Sequence, residues 1–352
     1  MNSRERFLSA MHFQAPDRVP LSCLFQQFEA ETVKRWWREG LPRDVHLIQH
    51  FGFERMELVP VNLGLLPGGD LDEAEQAQEW RVGTDRVHME DTVAEQSRHI
   101  KETYPLAGPD GWPGWMVRLN PASPARYPRF WGDYARHRQQ RDYPLGLAIP
   151  GPFSSLRDWV GPNRLARAIK DERAWVQGMV EHLAEFAVSA AARALRDLPL
   201  DFALIRERSA YQAPMLANSG ELEGLLSPCY RRWSDALEKA GVTIRLVEAP
   251  GNVASLVPMW LEAGLNGLCP VEASAGLDAR ALRARYGQAL ALIGNVDHRA
   301  LAGKWRDIAD ELHGKARDFL WQGGYIPTPD RPVSSEVPLE NYEYYLETLK
   351  KL

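Results

Sequence analysis

Cysteine is scarce in this 352-residue chain: Cys23, Cys229 and Cys269 are all it has. Three scattered thiols supply neither a disulfide framework nor a CxxC metal knuckle, and they read as reduced side chains of a cytoplasmic protein. Long apolar runs are missing as well. Those such as residues 187–194 are interrupted far short of the ~20 residues that span a bilayer. The opening MNSRERFLSAM is charged and amphipathic where a signal peptide would be apolar. Neither sign of charge dominates. Forty-two Lys and Arg against 47 Asp and Glu give a formal net charge of −5, so nothing global attracts nucleic acid or a membrane surface, and no long basic run does so locally. No GxGxxG turn follows the first apolar run, which weighs against a dinucleotide-binding open sheet. No repeat or low-complexity linker divides the chain.

What is present is ordinary globular composition, 45% hydrophobic and 25% charged, which excludes a disordered tail, a collagen or a coiled-coil rod. Short apolar runs alternate with helix-period segments. The runs are 19–24, 57–66, 145–150, 201–207, 242–248, 265–272, 289–296 and 324–327. Helical patterns fall at 174–196, 220–240, 253–263, 279–286 and 305–321. Strand–helix alternation of this kind predicts a parallel sheet with helices outside it. Eight strand candidates predict an α/β fold, a distorted (β/α)8 TIM-like barrel, with residues 1–352 forming one domain. Residues 68–143, rich in Trp, Pro and Arg, with strand-like alternation over 80–92, read as an insertion lying over one end of the barrel. Within it, Arg138 and Arg141 enclose two glutamines and read as a solvated helix end. The tryptophans, Trp36, Trp37, Trp112 and Trp115 among them, read mainly as packing, with a flat aromatic ligand site as the alternative.

In a parallel barrel the chemistry sits where strands end. Here the runs close on Glu207, Glu248, Glu272, Asp297-His298 and Asp330, which predicts an acidic mouth around a small-molecule substrate. The plainer alternative is that these are first-turn acids or helix caps, and for Asp297 the two readings are balanced. His298 follows a strand end and has the chemistry to act near neutral pH; it equally suits a helix start. Tyr211, four residues beyond Glu207, is placed to donate its phenol to a substrate. Arg208, Tyr211 and Glu248 are expected to line one cavity. Glu248 and Glu272 close neighbouring strands, so their carboxylates are expected within a few ångströms, with Asp330 facing them only across the mouth. Such a pair either holds a cation such as Mg²⁺, Ca²⁺ or a weak Zn²⁺, or keeps one proton and serves as a general acid. The metal-free version is favoured, because no His or Cys completes a tetrahedral set.

Several motifs carry a family resemblance. Near the start are RERFLSAM (4–11) and PDRVP (16–20). Later come EAGLN (262–266), PVEASAGLD (270–278), LRARYG (282–287), GNVDHRALAG (294–303), GGYIPTPD (323–330) and ENYEYY (340–345). In order and spacing they resemble the uroporphyrinogen decarboxylase-like superfamily, closely over the C-terminal third and loosely over the whole chain. The resemblance implies a distorted (β/α)8 barrel, frequent homodimers, and one of two activities. One is cofactor-free decarboxylation of porphyrinogen acetate arms; the other is zinc-dependent methyl transfer to or from a corrinoid carried by a partner protein.

The sequence departs from both. Where the decarboxylases have RQAGR, whose arginines hold substrate carboxylates, this chain has Phe25-Gln26-Gln27-Phe28-Glu29. Gln26 and Glu29 are then the substrate-facing positions, and a substrate bearing eight carboxylates is disfavoured. Where the zinc methyltransferases have HisXxxCys and a later Cys, it has Glu248-Ala249-Pro250 and the stretch around Thr328–Asp330, so thiolate-held zinc is doubtful. The tyrosine of the third-strand loop is kept as Tyr211, within ERSAY (207–211), and Arg208 replaces a common acid. The reading placed first is a methyltransferase moving a one-carbon group between a corrinoid or folate carrier and a small acceptor. The alternatives are decarboxylation of a porphyrinogen-like or smaller carboxylated substrate, and a non-catalytic binding barrel.

Overall fold

The computed structural model describes residues 1–66, 104–320 and 322–352. Seven apolar runs become seven strands: β1 (Glu57–Leu58), β2 (Leu145–Pro150), β3 (Phe202–Arg206), β4 (Ile244–Glu248), β5 (Gly267–Val271), β6 (Ala291–Val296) and β7 (Tyr325–Pro329). They lie in sequence order, every neighbour parallel. Parallel neighbours need a crossover, and helices supply it, so the strands are covered on both faces and read as continuous apolar runs. Among the described residues the two longest helices are Arg173–Asp197, leading into β3, and Ser219–Lys239, leading into β4. The second starts cleanly because Asn218 and Glu221 form a reciprocal capping box. The sheet curls as in a distorted TIM-like barrel.

The expected strand over 19–24 is not a strand. Its start and its continuation touch opposite edges of the sheet through isolated parallel bridges, Ser22 to Glu54 and Phe28 to Val333. Between them Cys23–Phe25 turns in a single 3-10 helix. Backbone hydrogen bonds of the ladder kind remain only on either side of that turn, Leu21 and Cys23 with Glu54, and Gln27 and Glu29 with Val333. The sheet therefore counts seven strands among the described residues. The segment is fixed by rings instead: Phe28, Trp36, Phe51 and Tyr342 pack with centroids 4.9–6.0 Å apart. Trp36 Nε1 also donates to the Val337 carbonyl at 2.9 Å. Trp36 is thus packing, as expected of most tryptophans here.

At the N-terminal ends of the strands, buried acids collect arginines. Arg6 bridges Asp17 and Glu54, Glu57 accepts from Tyr134 and Arg138, and Asp201 takes Arg4 and Arg141. A helix does end at His137, and Gln139 and Gln140 are exposed, as read from the sequence, but the two arginines are drawn inward. Arg141 is 1% exposed, drawn in by the carboxylate below β3. The alternation noted over 80–92 lies outside the described residues. Residues 104–143 form short helices, Trp112–Arg118 and Trp131–His137, whose Trp112, Trp131 and Tyr134 join the main apolar core. Among the described residues no helix is long and apolar enough to cross a membrane.

Candidate active site

The C-terminal ends of β3 to β7 bring the acidic residues to one side, each in its own environment. Glu207 lies beneath the mouth and is wholly enclosed. Its carboxylate accepts from the Phe153 N–H at 3.1 Å, the Ser154 N–H at 2.9 Å and the Ser154 hydroxyl at 2.8 Å, and also from the Tyr230 hydroxyl. Burial pushes its pKa up against these donors. Expected as a substrate contact, Glu207 is a tie between β3, the helix Pro152–Val160 and the helix Ser219–Lys239. Glu207 follows the last residue of β3 and turns toward the helices packed on the sheet, whereas Arg206 and Arg208 turn to Glu248 at the end of β4. The tie leaves no room at Gly151, where a Cβ would lie 2.2 Å from Glu207 Cδ. Gly151→Ala is expected to cost about 1–3 kcal/mol by overpacking, read as a lower denaturant midpoint at unchanged slope.

Arg206 and Arg208 share Glu248: Arg206 Nε is 3.2 Å from Oε2 and Arg208 Nε 2.9 Å from Oε1. Both arginines line a cleft of about 210 Å³, with Ser154, Trp159, Leu63, Leu119 and Phe186 among its other walls. Tyr211 and Glu248 are not among the walls of that cleft, although Glu248 meets both of its arginines. Arg206 was not singled out from the sequence; its common partner Glu248 places it beside Arg208.

Tyr211, 44% exposed, accepts from Gln212 Nε2 at 2.9 Å and lies against Gly251. Gly251 has φ +85°, and a Cβ there would come within 2.7 Å of Tyr211 Cβ. Its N–H donates to the Glu272 carboxylate, so one glycine sets both groups. Gly251→Ala is expected to displace the Tyr211 ring and cost about 1–3 kcal/mol through the strained φ and the contact. Tyrosine fluorescence and thermal denaturation check the two effects.

Glu272 is paired with Arg331, whose Nε is 3.4 Å from Oε1, as Glu248 is with Arg206 and Arg208. Asp330 does not face the others only across the mouth. It is fully buried and accepts from the N–H of Ser274, two residues beyond Glu272, at 2.8 Å. The chain beyond β7 folds back over β5 and β6, an approach the strand count alone does not convey. The other Asp330 oxygen accepts from His298, through its backbone N–H at 3.0 Å and its Nδ1 at 2.9 Å. Asp297 caps the helix His298–Leu301 by accepting from the Arg299 N–H, and the Arg299 guanidinium holds its carboxyl below the usual range. At Asp297 the capping alternative is therefore what the structure shows.

Gln26 is buried and accepts from the Tyr342 hydroxyl at 3.1 Å. Glu29 is exposed and precedes the helix Ala30–Glu39 without capping it through its side chain. The GlyAsn pair of the GNVDHR motif is scaffold. A Cβ at Gly294 (φ +120°) would sit 2.6 Å from the Val271 nitrogen, and buried Asn295 ties Leu277 and Ala279 to β6.

All three cysteines are buried, and burial, with Glu248 nearby, pushes the Cys269 thiol well up, so thiolate-held zinc does not fit. Asp297, His298 and Asp330 bring ligand-capable atoms within 4.8 Å of one another. Their carboxylate oxygens already accept hydrogen bonds from Arg299, Ser274 and His298, which leaves a poor coordination set.

No family model matches the chain, and no curated protein matches it in sequence. Among solved structures it is similar to a methyltransferase from Methanosarcina mazei, with a TM-score of 0.62 at 16% identity. The alignment covers 100% of this chain and 99% of that one. The likeness is one of fold.

Proposed function

We propose that this chain is a methyltransferase of the uroporphyrinogen decarboxylase-like superfamily, moving a one-carbon group between a corrinoid or folate carrier and a small acceptor at the strand-end mouth. The observation that carries the reading is the likeness to a methyltransferase fold, which spans both chains from end to end. The motifs from residue 262 onward and the loss of carboxylate-binding arginines at 25–29 support it. Neither Gln26, whose carbonyl oxygen takes the Tyr342 hydroxyl, nor Glu29 supplies the positive charge that would hold an acidic substrate, and Glu29 would repel one, so porphyrinogen decarboxylation is disfavoured. The carrier brings the reactive methyl group, on a partner protein in the corrinoid case. This chain's share is to bind, orient and exclude water, with Arg206, Arg208 and the cleft beside them as the binding wall.

The test is demethylation of methylcobalamin, free and on candidate corrinoid proteins, and of methyltetrahydrofolate, followed by absorbance with a panel of thiol and amine acceptors. Turnover with one carrier is the expected result. Failure with every carrier, or carbon dioxide release from a porphyrinogen panel, would overturn the proposal. Glu248→Ala is expected to lower the rate by about 10-fold or more, since it frees two arginines at the wall. Unchanged rates in both Glu248→Ala and Glu272→Ala would remove the acidic mouth from the mechanism.

A further inference from the structure

His298 and Asp330 form a dyad whose geometry fixes which imidazole nitrogen is available. Asp330 is fully buried, and its oxygens are oriented by the backbone N–H groups of Ser274 and His298. Two N–H donors aimed at a carboxyl group favour its charged, acceptor-only form. The third contact, Nδ1 of His298 at 2.9 Å, then has to be a donor. The proton of the neutral ring sits on Nδ1 and Nε2 keeps its lone pair. The ring cannot readily turn to satisfy Asp330 otherwise, because His298 is tied to the same oxygen through its own backbone. Its side chain remains 17% exposed, and Nε2 has no hydrogen-bond partner among the described residues. The other groups beside the ring are committed elsewhere. Asp297 lies 3.9 Å from Nδ1 but is held by Arg299, and Glu311 is held by Lys315.

We propose that His298 is the general base of the mouth and Asp330 its positioning residue. This rests on the methyl-transfer reading. As the acceptor X–H attacks the methyl carbon, its proton passes to Nε2 of His298. The electron pair on X forms the new C–X bond, and the electrons of the broken methyl–carrier bond stay with the carrier. Asp330 stabilises the imidazolium that results.

The tautomer is read on the full-length protein labelled with ¹⁵N-histidine, by two-bond ¹H–¹⁵N NMR near pH 8. The resonance is assigned among the nine histidines by its loss in His298→Gln. Protonated Nδ1 with bare Nε2 is the expected result, and the Nε2–H form would overturn the proposal. In Asp330→Asn the preference should relax toward the Nε2–H form; an unchanged spectrum would remove Asp330 from the dyad. The wild-type spectrum decides by itself should that variant fail to fold. Where a carrier and acceptor turn over, His298→Gln is expected to lower kcat by about 10²–10⁴-fold with carrier KM nearly unchanged. Wild-type turnover with full activity in His298→Gln sinks the base and leaves the function standing. No wild-type turnover, with the expected tautomer, sinks the function and leaves the fixed ring.

Discussion

Glu207→Ala is expected to destabilise the protein by about 3–5 kcal/mol, a large share of the total for any domain. The alanine removes an acceptor that four donors converge on, two of them the backbone N–H groups of Phe153 and Ser154. Left in a closed interior, each unpaired donor costs about 1–3 kcal/mol, reduced by whatever water enters. Urea unfolding at fixed pH reads the loss, and a shift of less than about 1 kcal/mol would refute the role as a tie. Glu207→Gln separates shape from charge. Burial sets the folded pKa above the ordinary 4.5, so over the window from 4.5 to that raised value the folded state holds more proton than the unfolded one. Stability then falls as pH rises through that window, and Glu207→Gln should flatten this part of the profile. A wild-type profile with the opposite slope there, or one unaltered by the substitution, would count against it.

The second large effect is expected at Arg126, which neither motif nor pattern marks in the sequence. Its side chain is fully buried and donates to four carbonyls: Asn120 at 3.1 Å, Asn62 at 3.0 Å, Gly64 at 2.5 Å and Arg118 at 2.8 Å. The guanidinium lies 4.5 Å from the centre of the Phe186 ring, and burial pushes its pKa down to about 10. One side chain thereby joins the loop after β1 to the loop before the helix Trp131–His137. Arg126→Ala is expected to cost about 3–5 kcal/mol, from a cavity and from carbonyls left without donors. Arg126→Lys should recover only a minor part, because one ammonium cannot reproduce a planar fork reaching four acceptors. Leu63, Gly64, Leu65 and Leu119 in those loops also line the cleft beside Arg206 and Arg208. Binding there should weaken together with stability, and a stable Arg126→Lys protein would contradict the account.

How much was legible in the sequence follows from how local each signal is. The pattern 279–286 became the helix Ala279–Tyr286, and 145–150 became β2 without a residue's change, because apolar periodicity and Gly or Asp boundaries lie within the segment itself. The run at 57–66 shrank to Glu57–Leu58 and the run at 19–24 lost its ladder. Their conformation is decided by partners outside the run, Leu145 for Glu57, Glu54 for Ser22 and Val333 for Phe28. The mouth divided in the same way. That acids close the strands could be read, but not that Glu207 turns inward, Glu248 meets two arginines and Asp330 reaches the loop after β5. Those outcomes depend on which neighbour each strand end meets. Arg206, Arg331 and Ser274 went unnoticed because single polar residues acquire a role only when another loop arrives beside them.

The ring cluster around Trp36 also bears on how the chain is made. Phe28, Trp36 and Phe51 come early, whereas Tyr342 and the Val337 carbonyl that accept their contacts come about three hundred residues later. Thr32 likewise waits for Val333, to whose carbonyl its hydroxyl donates at 2.6 Å. During synthesis, at about 5–20 residues per second, the early rings stay without their native cover for roughly a quarter of a minute to a minute. The nascent chain therefore carries these rings without their native cover until the segment from Val337 to Tyr342 has been made.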